Sequence, residues 1–192
     1  MNRKSVAIVG GGVAGIVSAK YALENGLLPT VFEKSKSIGG LWSLDSTYIW
    51  EGMTSTASIY TEMFSDHPWP NNSYVFPSAM EINKYLKSYI KRFSLLEHFL
   101  LNQKVENIEK HSSNTWNIIS VNLETLVKQN DTFDFLIIAT GENAVPRMPI
   151  IENYDNFKGI QIHSSEFKLN DKRFKDKNIA VVNKFICNIL NI

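Results

Sequence analysis

The chain has 192 residues, of which 44% are apolar and 20% charged, a composition typical of a globular protein and unlike that of an extended disordered chain. Its 20 Lys and Arg residues nearly balance 19 Asp and Glu residues, so the charge gives no reason to expect a nucleic-acid partner. No apolar run approaches the roughly 18 residues of a membrane span, and the single cysteine, Cys187, excludes an internal disulfide and favours the cytoplasm.

The N-terminal residues predict a unit of strand, glycine turn, helix and strand. An apolar run at residues 6–9 leads directly into three glycines at residues 10–12. Residues 14–25 then have a helix-forming composition that ends at a glycine, and residues 31–33 form a second short strand. The order strand, glycine turn, helix, strand is that of a βαβ crossover, which predicts an α/β fold with a parallel sheet.

The glycine loop at residues 10–15 fits the pattern G-x-G-x-x-G in its required context, after a strand and at the start of a helix. Gly10 permits the tight turn, Gly12 lets backbone amides approach a pyrophosphate, and Gly15 lets helix and strand pack closely. The anion would then lie at the positive end of the helix. Glu33 can accept hydrogen bonds from both ribose hydroxyls and disfavours a 2′-phosphate. The pattern therefore predicts FAD or NAD and does not separate the two.

The middle of the chain divides into an irregular stretch and a helix. Residues 43–77 show no steady period, and so long a loop inside a domain is typical of a binding or lid segment. Ser78 and Glu81 have the spacing of a capping box, and apolar residues at helical spacing behind them predict a helix over residues 79–94. Later strands are predicted at residues 105–108, 116–121, 133–139 and 179–182.

Four ordered motifs resemble those of the flavin-containing monooxygenases. They are Gly39-Gly40-Leu41-Trp42, which resembles G-G-x-W; residues 53–70, which resemble the segment leading into F-S-D-F-P; residues 133–149, which resemble the A-T-G strand end and its prolines; and Phe157, Gly159, His163 and Phe167, which match F-x-G-x-x-x-H-x-x-x-F/Y. The resemblance extends over residues 5–182. His163 is interpreted as structural and not as catalytic.

The resemblance implies a Rossmann-like FAD-binding domain of the two-dinucleotide-binding-domain flavoprotein type. That domain would occupy residues 1–150, and residues 151–192 would be a linker and the first strand of an incomplete NADPH-binding domain. In the family, NADPH gives a hydride to FAD, dioxygen adds to form a flavin hydroperoxide, and one oxygen passes to a soft nitrogen or sulfur nucleophile. The expected cofactors are thus FAD and NADPH, and the expected partners are a small nucleophilic substrate and O2.

The resemblance also implies which residues contact the cofactor, and none of them is a general base, a nucleophile or a metal ligand. The expected contacts follow a path along FAD, from the pyrophosphate to the adenosine ribose, then towards the flavin, and finally back to the dinucleotide. The residues on this path are Gly10, Gly11, Gly12, Val13, Ala14 and Gly15, then Glu33, then Gly40, Leu41 and Trp42, then Thr56 and Ala57, and finally Thr140 and Gly141.

Three positions depart from the family pattern. Thr56 stands where most members carry an asparagine near the flavin, and a hydroxyl lacks the two donors of an amide. His67 replaces a common aromatic residue of the F-S-D-F-P motif. Residues 183–187 stand where a second glycine loop would receive NADPH, and side chains there would keep a phosphate from the backbone. The chain is therefore expected to be truncated before that loop.

Two functions stay open at this level. One is an FAD- and NADPH-dependent monooxygenase, and the other is a non-catalytic truncated fragment that at most binds FAD or a partner chain. For the fragment, no NADPH-dependent turnover is expected, because the hydride donor would have no site. A NAD-dependent or disulfide-reductase-like enzyme is disfavoured, because a chain with one cysteine has no C-x-x-C or C-x4-C redox pair.

Overall fold

The computed structural model describes residues 3–50, 52–142, 145, 147–167 and 171–182, together with the backbone of residues 188–191. Within these residues the regular elements are, in chain order, β1 (Ser5–Val9), α1 (Val13–Glu24), β2 (Leu28–Phe32), α2 (Ala79–Arg92), β3 (Phe99–Leu100), β4 (Gln103–Lys110), β5 (Trp116–Asn122), β6 (Lys128–Phe133), β7 (Phe135–Ile138), β8 (Asn178–Val181) and β9 (Asn188–Asn191). The predicted α/β class is confirmed.

The centre of the fold is a parallel sheet in which the strands lie in the order β3-β2-β1-β7. β1 runs parallel to β2 and to β7, so both of its edges are paired. The connection from β1 through α1 to β2 is the predicted βαβ crossover. β4, β5 and β6 form a separate antiparallel sheet.

Both faces of the parallel sheet are covered at its central strand β1, as expected for parallel strands. Successive side chains of a strand point to opposite faces. Val6 and Ile8 of β1 therefore pack in one cluster with apolar residues of α1 and α2, whereas Ala7 between them packs with Phe133 and Ile118 of the antiparallel sheet. The result is a three-layer arrangement with helices on one side of the central sheet and the antiparallel sheet on the other.

The two helices begin in different ways. At the start of α2, the Ser78 hydroxyl accepts a hydrogen bond from the Glu81 amide over 3.3 Å, and the Glu81 carboxylate accepts one from the Ser78 amide over 2.8 Å. This is the predicted capping box. α1 begins after Gly12, which offers no side chain to cap it, and its first turn holds no acidic residue. The amides at the start of α1 are therefore left for another acceptor.

The predicted strand over residues 133–139 is wrong in its extent, because the chain changes sheets within it. β6 ends at Phe133 and β7 begins at Phe135. The Asp134 carboxylate between them accepts hydrogen bonds from the Ser5 amide over 2.8 Å and the Ser5 hydroxyl over 3.2 Å. Asp134 thus fixes the point at which the chain leaves the antiparallel sheet and joins β1 in the parallel sheet.

The remaining predictions have separate outcomes. Among the described residues of 43–77, no helix or strand forms, as predicted, and two isolated bridges join Thr54 to Ser78 and Phe64 to His67. The strand predicted at residues 179–182 is confirmed as β8, which pairs antiparallel with β9. The interpretation of residues 183–187 lies outside the described residues. No helix in the described part of the chain is long and apolar enough to cross a membrane.

We expect Ser78→Ala to lower the free energy of unfolding by about 1 kcal/mol, because it removes one side of the capping box of α2. Urea unfolding followed by circular dichroism measures the change. The exposed Ser112, in the turn between β4 and β5, provides a matched control, and Ser112→Ala should leave the unfolding midpoint unchanged. Equal midpoints for Ser78→Ala and the wild type would contradict a stabilising role of the cap.

Candidate functional site

The glycine loop is the point at which three backbone segments meet. Gly10 has φ of +110°, and a Cβ there would overlap the carbonyl oxygen of Ala139, at the end of β7. A Cβ on Gly15, inside the first turn of α1, would overlap the carbonyl oxygen of Gly10. Only hydrogen side chains allow these approaches. The steric roles predicted for Gly10 and Gly15 are therefore present in the structure.

The first turn of α1 presents unpaired amides to solvent. Val13 and Ala14 are exposed and Gly12 is half-buried. Among the described residues, no group accepts a hydrogen bond from the amides of Gly12, Val13, Ala14 or Gly15. A helix start with free N–H groups and no nearby acid is a ready anion site, since the helix dipole adds positive potential there. This geometry fits a pyrophosphate.

Glu33 lies directly after β2 and is 6% exposed. One carboxylate oxygen accepts a hydrogen bond from the Gly11 amide over 2.6 Å, and the other accepts one from the Ser35 amide over 2.7 Å. A carboxylate offers about four acceptor positions, so two backbone bonds leave capacity for two hydroxyl donors. The Gly11 amide therefore holds the Glu33 carboxylate beside the glycine loop, in the position expected for a ribose-binding residue.

A second glycine pair packs on the first loop. Gly39 donates its amide to the Gly11 carbonyl over 3.0 Å, and a Cβ on Gly40 would lie 2.8 Å from the Cα of Gly12. The short 3-10 helix Gly40–Trp42 follows, with Leu41 exposed and Trp42 half-buried. The buried Asn83 of α2 donates its side-chain amide to the Trp42 carbonyl over 2.9 Å, which ties this turn to α2.

The strand end at Thr140 and Gly141 also reaches the loop. Ala139 donates its amide to the Val9 carbonyl over 2.8 Å, which extends the pairing of β7 with β1. A Cβ on Gly10 would lie 3.3 Å from the Cα of Thr140. Both Thr140 and Gly141 are exposed. The structure therefore brings this predicted pair beside the glycine loop, on the side away from Glu33.

Thr56 and Ala57 lie on a different segment. The Ser55 amide donates to the Pro77 carbonyl over 2.8 Å, and Ala57 donates its amide to the Ser55 hydroxyl over 3.1 Å, so both residues lie beside the start of α2. Thr56 is exposed. Among the described residues, no hydrogen bond joins Thr56 or Ala57 to the glycine loop. Their contact with a cofactor stays a prediction.

His163 has a local structural role. Its Nδ1 accepts a hydrogen bond from the Ser165 amide over 3.2 Å, and its own amide donates to the Glu166 carboxylate over 3.2 Å. These two bonds cap the short helix Ser164–Glu166. Because the imidazole nitrogen serves a cap, the geometry agrees with the interpretation of His163 as structural.

An apolar cavity of about 240 Å³ lies beside the glycine loop, between α1 and α2. The residues around it come from the first turn of α1, the Gly39–Trp42 turn, the irregular stretch and α2. They are Val13, Trp42, Thr61, Glu62, Met63, Phe64, Trp69, Ile82, Tyr85 and Leu86. Trp69 stacks on Tyr85 with ring centroids 4.1 Å apart. The cavity thus gives one flank of the site a largely aromatic wall.

Sequence reasoning missed a buried lysine near this cavity that pairs with two acids. Lys20 of α1 is 5% exposed, and its Nζ lies 2.7 Å from Asp66 and 2.8 Å from Glu24. The side-chain contact with Asp66 raises the pKa of Lys20 well above its usual value, and the same contact lowers the pKa of Asp66. Both groups therefore stay charged near neutral pH. Lys20 and Glu24 are four residues apart, a spacing that in sequence is typical of a solvated surface pair.

His67, the departure from the family motif, is fixed on α2. Its Nε2 lies 2.7 Å from the Ser88 hydroxyl, and because that hydroxyl donates to the Tyr85 carbonyl over 2.7 Å, it accepts from His67. Burial lowers the pKa of His67, and Arg92 adds to this effect. The neutral imidazole therefore fills the aromatic position and packs at 5.1 Å from the Tyr85 ring.

Comparison with known proteins points to one family. A family model described as flavin-binding monooxygenase-like matches residues 3–188. Flavin-containing monooxygenase 1 of Rattus norvegicus is 35% identical over 191 residues, which cover 93% of this chain and 35% of that protein. Flavin-containing monooxygenase 5 of Cavia porcellus is 30% identical over 194 residues, which cover 95% of this chain and 36% of that protein. The chain spans about a third of the length of these relatives.

Solved structures share the fold. S-allyl-L-cysteine S-oxygenase from Allium sativum superposes with a TM-score of 0.78 at 22% identity, covering 87% of this chain and 43% of that chain. OTEMO in complex with FAD and NADP superposes with a TM-score of 0.68 at 25% identity, covering 84% of this chain and 30% of that chain. The three-layer arrangement around the glycine loop is therefore shared with a part of each of these two structures.

We expect Gly15→Ala and Gly12→Ala to affect folding differently. A Cβ on Gly15 would overlap a backbone oxygen, whereas a Cβ on Gly12 would lie 3.6 Å from its nearest neighbour, the Gly40 Cα, in ordinary contact. Thermal unfolding should show a large loss of stability for Gly15→Ala, on the order of 3 kcal/mol or more, and little for Gly12→Ala. Equal losses for both variants would contradict the steric account of the loop.

Proposed function

The chain belongs to the flavin-binding monooxygenase-like family, and we propose that it binds FAD as the flavin-binding part of an NADPH-dependent monooxygenase. The observation that carries the proposal is the joint geometry of α1 and Glu33. Free amides at the start of the helix suit a pyrophosphate, and the acid bonded to the Gly11 amide suits the adjacent ribose. Between FAD and NAD, which the sequence pattern leaves open, the family membership favours FAD.

In this proposal each part of the site holds one part of the cofactor. The amides of Gly12, Val13 and Ala14 bind the pyrophosphate, and the missing side chain of Gly12 lets it approach, while Gly10 and Gly15 let the backbones of the loop, β7 and α1 pack closely. Glu33 binds the ribose hydroxyls. The turn Gly40–Trp42 and the crossing at Thr140 and Gly141 flank the dinucleotide on either side, which their contacts with the loop support. Thr56 and Ala57 would face the flavin.

The chain contributes binding, orientation and exclusion of water to the proposed reaction. Bound FAD would supply, with NADPH and O2, the transfer of one oxygen atom to a soft nitrogen or sulfur nucleophile. The rings of Trp42, Phe64 and Tyr85 line one flank of the site, and their bulk would help to keep water from a reaction that water would otherwise intercept. Thr56 would offer a single hydroxyl donor to the flavin side of the site.

The domain division belongs to the same proposal. Residues 1–150 would form the FAD-binding domain, and residues 151–192 would lead into an NADPH-binding domain. The residues expected to face NADPH, 183–187, lie outside the described part of the chain, so the proposal assigns NADPH no residue there. A cytoplasmic location, a small nucleophilic substrate and O2 complete the proposal, and the single cysteine supports the location.

A second candidate is a protein that binds FAD and acts only when further polypeptide covers β7. The exposed side chains of Phe135, 42% accessible, and Ile138, 58% accessible, support this candidate. Among the described residues, β7 is also the last strand of its sheet, with β1 as its neighbour. An apolar edge strand of this kind is a place where another chain or domain pairs. The candidate shares the FAD site and differs in having no turnover of its own.

We expect the purified 192-residue chain to carry FAD, seen as flavin bands in the visible absorbance spectrum and identified after release by chromatography. When the flavin-free proteins are titrated with FAD, Gly12→Ala should bind it at least about tenfold more weakly than the wild type, because its Cβ would occupy the space of the pyrophosphate. A folded chain that binds no added FAD would overturn the proposal. NADPH consumption with an amine or sulfide substrate would favour the monooxygenase. FAD binding without NADPH consumption would favour the second candidate.

A further inference from the structure

Lys20 is unusual because its ammonium group is buried among aromatic rings while it pairs with acids from two segments. Its Nζ lies 4.0 Å from the centroid of the Tyr21 ring and 5.2 Å from that of Phe93. Glu24 belongs to the same helix, but Asp66 belongs to the irregular stretch between Trp42 and α2. The ion pair with Asp66 therefore joins α1 directly to the irregular stretch.

The ion pair is linked along α1 to Val13, whose backbone amide belongs to the proposed pyrophosphate site. Lys20 is seven residues, or about two turns, after Val13, so the two side chains share a helix face. Val13 lines the aromatic cavity together with Phe64, and Asp66 follows Phe64 by two residues. The helix face that carries Val13 at the start of α1 therefore carries Lys20 two turns later. Lys20 in turn binds Asp66, in the segment that brings Phe64 to the cavity.

A second anchor holds the same wall on α2. The Tyr85 hydroxyl accepts a hydrogen bond from the Phe64 amide over 2.9 Å and donates one to the His67 carbonyl over 2.5 Å. Tyr85 therefore holds the F-S-D-H-P turn, residues 64–68, at Phe64 and His67, and Lys20 holds it at Asp66. Trp42, which closes the cavity beside the glycine loop, is itself held by Asn83 of α2.

Such an ion pair is a weak source of folding stability by itself. Burying a lysine is costly even when it is paired, and apolar side chains of similar volume often serve a core as well or better. An ion pair has a defined partner and geometry, which an apolar contact lacks. Here it joins α1, which carries Val13, to the turn at residues 64–68, which carries Phe64, and both of these residues line the cavity.

We propose that Lys20 is a positioning residue for the flavin site, acting through its ion pair with Asp66. The pair holds Phe64 against Val13 and Trp42. Val13 and Trp42 contact FAD in the proposed function, on which this inference rests. Lys20 itself touches no cofactor. Loss of the pair would widen the cavity, loosen Trp42 and change the surroundings of the bound flavin.

The test compares FAD affinity and the visible circular dichroism of bound FAD in Asp66→Asn, Lys20→Met and Lys20→Arg. Asp66→Asn keeps the shape of the side chain and leaves Lys20 its contact with Glu24, so this variant is expected to fold. Both Asp66→Asn and Lys20→Met should bind FAD about tenfold more weakly and change the visible dichroism bands. Lys20→Arg, which retains the charge, should recover most of the affinity and the wild-type bands.

The exposed ion pair between Glu106 and Lys128, 2.8 Å apart on the antiparallel sheet, gives the matched control. Glu106→Gln should bind FAD with unchanged affinity and unchanged dichroism. Wild-type affinity and bands in Asp66→Asn and Lys20→Met would overturn the inference, even if both variants unfold at lower temperature, because the pair would then be structural only. Failure of the wild-type chain to bind FAD would instead overturn the proposed function, and with it this inference.

Discussion

The structure depends on one steric constraint, the contact of three backbones at the carboxyl end of β1. Gly15 brings α1 against the carbonyl of Gly10, and Gly10 brings the turn against the carbonyl of Ala139. A side chain at either position would push α1 or β7 away from β1. The same contacts aim the first turn of α1 outward with its amides free, so the packing requirement and the binding geometry are two consequences of the same glycines.

Around that contact, the other elements of the site are held by polar bonds to the loop or to α2. Glu33 and Gly39 bond to opposite sides of Gly11, through its amide and its carbonyl. α2 holds the Trp42 turn through Asn83 and the F-S-D-H-P turn through Tyr85. α2 therefore serves as the scaffold for an irregular stretch that has no regular pairing of its own, and its capping box fixes where that stretch ends.

The sequence predicted those parts that local chemistry encodes. The glycine loop, α1 and the capping box of α2 each carry their signal within a few residues, and they were predicted correctly. β6 was missed because its exposed residues, Lys128 to Thr132, are polar and show no apolar alternation. The break at Asp134 was missed because its cause is Ser5, far away in sequence. Lys20 resembled a surface residue, since its burial depends on Asp66 and on the ring of Phe93.

In the proposed function, the loop at residues 10–15 and Glu33 together bind the ADP half of FAD. The most direct measurement is a titration of the flavin-free chain with FAD and with FMN, which carries the same flavin but lacks the adenosine. We expect tight binding of FAD and at least about 100-fold weaker binding of FMN, because the ribose contacts of Glu33 and half of the pyrophosphate contacts are lost. Equal affinities for the two flavins would contradict it.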